Sequence, residues 1–272
     1  MNVGEKGEKS VRRERENVQT HEKKKMLIIP AIDLKEGRCV RLQRGVMATA
    51  TIFSDNPALT ARQWEEQGAQ WLHVVDLDGA FAKKPRNLAA IAAIVDSVGI
   101  SVQVGGGVRT LETLAAYLEI GVERVVMGTA AHSNPDILVQ ACQSFPGKVV
   151  LGIDSRQGRV AIEGWSLTTD VGSGDLAARF ANLALAAIVY TDISRDGMET
   201  GPNVEATRQL ARSLKTPVIA SGGVGNLDHI RALLPLEQDG VIGVIVGRAL
   251  YSGGVVLSEA IALAAGIGSE ER

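Results

Sequence analysis

Ile32-Asp33-Leu34-Lys35-Glu36-Gly37-Arg38 returns 121 positions later as Ile153-Asp154-Ser155-Arg156-Gln157-Gly158-Arg159. Four of the seven positions are identical, and Lys35/Arg156 keeps its charge. Each copy follows a short apolar run, Leu27 to Ile32 in the first and Val149 to Ile153 in the second. Two further stretches recur in the same order. Val104-Gly105-Gly106-Gly107-Val108 is matched by Ala220-Ser221-Gly222-Gly223-Val224 at an offset of 116, and Val125-Val126-Met127-Gly128-Thr129-Ala130 by Val244-Ile245-Val246-Gly247-Arg248-Ala249 at 119. A lone Gly-Gly-Val reads as an ordinary strand-to-helix turn. Three motifs in one order at nearly one offset imply that half a domain is repeated, which differs from the short period of a solenoid.

Outward from the repeat, the chain alternates. Short runs rich in β-formers are Leu27–Ile32, Trp71–Val75, Val102–Val104, Arg124–Met127, Val149–Ile153, Ala187–Thr191, Pro217–Ala220 and Gly243–Val246. Helical stretches lie between them. Asn56-Pro57 and Asn134-Pro135 place a capping side chain before a first-turn proline. Thr110 precedes the Leu111, Leu114, Ala115, Leu118 stripe, and Asn203 and Asn226 read as caps of Val204–Leu214 and Leu227–Leu234. Most of the strands are continuously apolar, as expected when both faces are covered. Eight strand–helix units predict an α/β fold, a single (β/α)8 TIM barrel built from two duplicated half-barrels over residues 26–266. A doubly wound open sheet fits the two-fold repeat less well.

Composition narrows the function. A net charge of −2 leaves no basic field to recruit nucleic acid, and 4% aromatic residues supply few base-stacking platforms. No apolar run reaches the ~20 residues that cross a bilayer. Cys39 and Cys142 form no framework or metal-type pair and read as buried thiols of a cytoplasmic protein. His132 and His229 lack ligand spacing, so no metal site is expected. No G-x-S-x-G elbow is present. Residues 1–25 carry eight Lys/Arg and five Asp/Glu and read as a disordered charged leader, while 267–272 form a short tail.

Barrel enzymes place their chemistry at the carboxyl ends of the strands. That rule selects Asp33 after strand 1 and Asp154 after strand 5, which face each other across the mouth. Thr191 closes strand 6. Asp76 and Asp78 follow strand 2 and read first as caps of the next loop. His73 reads as a structural histidine. The glycine motifs then gain a use. Gly106, Gly107, Gly128 and Thr129 end strands 3 and 4, and Gly222, Gly223, Gly247 and Arg248 end strands 7 and 8. Glycine admits an anion close to the backbone, and a following helix aims free N–H groups at it. Two phosphate cups on opposite sides of two carboxylates predict a long small-molecule substrate with a phosphate at each end.

Ile29-Pro30-Ala31-Ile32-Asp33-Leu34, Val74-Val75-Asp76-Leu77-Asp78-Gly79-Ala80, Val102-Gln103-Val104-Gly105-Gly106-Gly107-Val108-Arg109, Thr191-Asp192-Ile193-Ser194-Arg195-Asp196-Gly197 and Val246-Gly247-Arg248-Ala249-Leu250 are similar to motifs of a known family. From Met26 to about Gly266 the chain resembles the phosphoribosylformimino-aminoimidazole-carboxamide ribotide isomerases (HisA) of histidine biosynthesis. The resemblance implies a duplicated barrel that turns an aminoaldose into an aminoketose, an Amadori rearrangement, with no cofactor and no partner chain. It implies that Asp33 is the general base and Asp154 the general acid, with Thr191 and Asp196 near the acid. Arg41 and Trp165 match loop residues that reach the substrate, and His73 a strand position where the family often has His. After Gly45 the family often has an acidic residue and an aromatic, where this chain has Val46-Met47.

Other readings compete. The cyclase subunit of imidazole glycerol phosphate synthase shares the repeat, the aspartates and the cups. Ala31, Gly128 and Thr191-Asp192-Ile193 favour the isomerase. A non-catalytic phosphosugar-binding barrel is disfavoured by the intact Asp33 and Asp154. Isomerisation of phosphoribosylanthranilate by the same acid and base stays open.

Overall fold

The computed structural model describes residues 25–43 and 46–267. The charged leader and the terminal tail, apart from Lys25 and Ile267, lie outside the described residues, as does Gly45. In chain order the strands are β1 (Leu27–Lys35), β2 (Arg38–Gln43), β3 (Val46–Ser54), β4 (Trp71–Asp76), β5 (Ser101–Gly105), β6 (Arg124–Met127), β7 (Val149–Arg156), β8 (Arg159–Ile162), β9 (Leu167–Gly172), β10 (Ala187–Asp192), β11 (Val218–Ser221) and β12 (Val241–Val246). Eight of them form a parallel ring in the order β1-β4-β5-β6-β7-β10-β11-β12, closed by β12 against β1. All eight fall where the sequence predicts strands, with helices in the connections. The protein is therefore a (β/α)8 barrel.

Successive side chains of a strand point to opposite faces. One set, with Ile28, Leu72, Val104, Leu151, Ile188 and Val244, packs outward against the helices. The other set fills the interior: Ile29 and Ala31 of β1, Val150 of β7, Ala187 and Val189 of β10, Ile219 of β11 and Ile245 of β12. This apolar plug fixes what stands above it. Stepping by two from Ile29 and Ala31 reaches Asp33. From Val150 the same step reaches Gly152 and then Asp154, and from Ala187 and Val189 it reaches Thr191. Strand periodicity thus delivers the polar residues to one layer at the carboxyl end of the ring.

Four strands were not read in the sequence. β1 and β7 run past the barrel rim and fold back as β2 and β8, each extended by a third antiparallel strand, β3 and β9. The turns are Glu36-Gly37 (φ 50° and 75°) and Gln157-Gly158 (φ 53° and 80°). Two consecutive positive φ values are what a two-residue hairpin turn needs. The repeated heptad is therefore a strand end, an inward aspartate and a hairpin. Glu-Gly and Gln-Gly are weaker signals than Asn-Gly, which is why the hairpins were missed. One consequence is that Arg41 sits on β2 instead of a loop.

The caps of Asn56, Thr110, Asn203 and Asn226 form, each side chain accepting from the N–H three residues on. Asn134 makes no such bond. Its own N–H closes the preceding helix Thr129–Ser133 on Ala130 O at 2.8 Å, so one residue serves two helices and its side chain is not turned to the second. Helix Val204–Arg212 stops short of Leu214, and Leu227–Arg231 gives way to a 3-10 segment at Leu234–Asp239. No helix among the described residues is long and apolar enough to cross a membrane.

Candidate active site

A cavity of about 260 Å³ opens at the carboxyl end of the ring. Its wall holds Asp33, Asp154, Thr191 and Asp196, and also Arg41 and Trp165. Gly106, Gly107, Gly128, Thr129, Gly222, Gly223, Gly247 and Arg248 line it as well. Every site residue singled out in the sequence thus faces one space. β1 and β7 stand four places apart in the eight-membered ring, so Asp33 and Asp154 approach from opposite sides.

The two carboxylates have different surroundings. Asp33 accepts from Arg41 Nη1 at 2.5 Å, in an ion pair that is largely buried. Arg41 also donates to Ala31 O, and its guanidinium lies 4.7 Å from the centre of the Tyr251 ring. Asp154 pairs with no cation among the described residues. It accepts from Trp165 Nε1 at 2.8 Å and sits beside Thr191 in the β7–β10 pairing. Burial raises the Asp154 carboxyl above its ordinary range, against the hydrogen bonds from Trp165 and Thr191, which lower it. Asp196 is pushed up to about 7, by burial first and then by the charge of Asp33, with Asp154 adding and Arg41 opposing. Burial thus favours the protonated form of both Asp154 and Asp196, the form in which a carboxyl group can act as a general acid.

His73, read in the sequence as a structural residue, is on the inner face of β4, level with Ala31. It lines the cavity, with Nδ1 3.0 Å from Gln103 Nε2. Burial lowers its pKa to about 4, so the imidazole is neutral at working pH.

The glycine turns occupy neighbouring strand ends, β5 with β6 and β11 with β12, on opposite sides of the ring. Gly128 and Gly247 are each followed at once by a short helix, Thr129–Ser133 and Arg248–Ser252. Gly106-Gly107 and Gly222-Gly223 differ from the expectation. Their helices start later, at Leu111 and Leu227, and carry their own caps. These glycines have a packing reason as well: φ is 107° at Gly106 and 91° at Gly222, and a Cβ there would land on the carbonyl oxygen of Asp76 or Asp192. Arginines line both rims. Arg248 was read in the sequence, and it donates to Gly197 O at 2.8 Å. Arg109 also lines the cavity, but the repeat does not single it out, because the second copy has Gly225 at that place.

Asp76 takes the capping role. It is fully buried and accepts from Gly79 N (2.7 Å), Arg86 N (2.7 Å), Asn87 N (3.0 Å) and Asn87 Nδ2 (2.7 Å). Asp78 accepts from Glu36 N and Asn87 Nδ2. On the other side Asp192 accepts from Ser194 N and Asn203 Nδ2. Among the described residues no cluster of His, Cys, Asp or Glu is arranged to hold a metal ion.

Known proteins agree with the geometry. A family model described as "Histidine biosynthesis protein" matches residues 27–255. A relative from Geobacter sulfurreducens is 55% identical over 238 residues, covering 88% of this chain and 98% of its own. One from Geotalea uraniireducens is 56% identical, covering 88% and 97%, and one from Syntrophotalea carbinolica is 54% identical, covering 89% and 99%. All three are named 1-(5-phosphoribosyl)-5-((5-phosphoribosylamino)methylideneamino) imidazole-4-carboxamide isomerase. With the barrel, the opposed aspartates and a match across most of its length, the chain belongs to the histidine biosynthesis protein family.

Proposed function

We propose that this chain isomerises the bis-phosphorylated aminoaldose ProFAR to the aminoketose PRFAR, using aspartates as acid and base. The observation that carries the reading is the pair of unlike carboxylates, Asp33 and Asp154, on opposite strands of one cavity. Asp154, aided by Thr191 and with protonated Asp196 near it, gives a proton to the ribose ring oxygen. The bond from that oxygen to C1′ breaks and leaves a protonated imine. Asp33 takes the proton from C2′, and the electron pair forms the enolamine. Proton transfer to C1′ and loss of the hydroxyl proton at C2′ complete the ketone. Gly106, Gly107, Gly128 and Thr129 hold one phosphate, and Gly222, Gly223, Gly247 and Arg248 the other. Arg41 and Trp165 contact the ring system between them.

In this reading residues 26–266, two copies of one half-barrel, are the working unit, a cytoplasmic monomer without cofactor, and residues 1–25 take no part. The test is an absorbance assay with ProFAR, coupled to the next enzyme of the pathway, repeated with phosphoribosylanthranilate. Turnover of ProFAR supports the reading and its absence overturns it. Turnover of the second substrate would add a second activity on the same acid and base.

A further inference from the structure

Glu163, Gly164 and Trp165 form the turn between β8 and β9, and all three have positive φ, at 56°, 63° and 72°. Two of them are not glycine. Such backbone is strained and persists only where its surroundings over-determine it. The surroundings here are specific. The Glu163 carboxylate is forked between two cations from the strand ends β4 and β5, Lys83 Nζ at 2.7 Å and Arg109 Nη2 at 3.1 Å. Its N–H donates to Thr129 Oγ1 at 3.2 Å, and its carbonyl accepts from Ser166 Oγ at 2.9 Å. The ring of Phe81 lies against Gly164. Arg156 Nη2 donates to the Trp165 carbonyl at 3.1 Å. What this turn carries is the indole whose N–H meets Asp154 Oδ2.

We propose that Glu163 is a positioning residue for the isomerisation: its fork to Lys83 and Arg109 latches the β8–β9 turn to the β4–β5 part of the rim and so aims Trp165 at Asp154. Lys83 follows the helix Leu77–Ala82 after β4, and Arg109 follows the glycines after β5, whereas the turn belongs to the β7–β9 extension. The latch therefore ties two separate parts of the rim, and it holds one of the rim arginines. Lys83 and Arg109 keep the Glu163 carboxyl below its ordinary range, so it stays ionised through the pH range of the assay. The role in catalysis rests on the isomerase reading. The aim of the indole does not.

The test uses the full chain with Glu163→Gln, which keeps shape and removes charge, and with Lys83→Gln as a second, milder break. Acrylamide quenching of Trp165 fluorescence is taken as the difference from Trp165→Phe, which removes the signal of Trp64 and Trp71. Glu163→Gln raises that quenching at least about twofold in the ligand-free protein. It also lowers kcat/KM for ProFAR about tenfold, chiefly through kcat, as expected when a contact group is misaimed by a fraction of an ångström. Glu163→Asp restores part of both, and Lys83→Gln moves both in the same direction by less. Unchanged quenching in both variants overturns the latch, and changed quenching with wild-type kinetics overturns the positioning role. If the wild-type protein turns over no ProFAR at all, the isomerase reading fails while the quenching comparison still decides the latch.

Discussion

Asp196 shows what three carboxyl groups in one mouth do to each other. Its pKa of about 7 lies above that of an aspartate in the unfolded chain. Between about pH 4 and 7 the folded state thus binds a proton that the unfolded state has released, so this contribution is fully present below about pH 4 and is lost as pH rises through 7. Asp196→Asn removes the ionisation. Its melting temperature should exceed that of the wild type at pH 8, with the excess shrinking as pH falls and vanishing only near pH 4, in scanning calorimetry at the two pH values. An equal difference at both would contradict the shifted proton. The sequence made Asp33 legible because it had a partner at Asp154. His73 had none, and a histidine before two valines reads as core. Only strand periodicity above an apolar plug brings it to the cavity wall.

At the scale of an element, the loop after β4 hangs on one side chain. Asp76 satisfies four N–H groups while fully buried. Asp76→Ala leaves those donors without an acceptor and should cost about 3 kcal/mol or more. That corresponds to a fall of roughly 6–12 °C in Tm for a chain of this size, read by thermal denaturation. A change below ~2 °C would mean water replaces the carboxylate at no cost. Arg248 belongs to a different element, the short helix after β12, and its guanidinium is half exposed at the rim. Arg248→Ala should raise KM for ProFAR with kcat little changed, since a phosphate contact binds ground and transition state alike. An unchanged KM in a folded variant would remove Arg248 from the cup. Elements with strong apolar runs and capping residues were readable, including all eight barrel strands. The hairpin strands β2, β3, β8 and β9 were not, because their turns lack the usual dipeptides and because Arg38–Gln43 mixes charges with apolar residues.

For the whole molecule, the repeat and the ring are two views of one constraint. An eight-stranded ring sets β1 opposite β7 and β5 opposite β11, so equivalent residues of the two repeats meet across one mouth. Under the proposed function, a bisphosphate with its reacting atoms in the middle would span that mouth. A chain starting at Met26 should keep kcat/KM within about twofold, because terminal charged segments rarely bear on a packed core. A large loss would show that the leader takes part. The asymmetries were the part the sequence concealed, with Arg109 on one rim and Arg248 on the other, and Arg41 on Asp33 where Trp165 is on Asp154. The most direct measurement is steady-state turnover of ProFAR by Asp33→Asn and by Asp154→Asn, each checked for an unchanged fold. Each variant should lose at least ~10² in kcat, the scale of general acid–base catalysis. Wild-type turnover in either one would contradict the pairing of these two aspartates across the barrel.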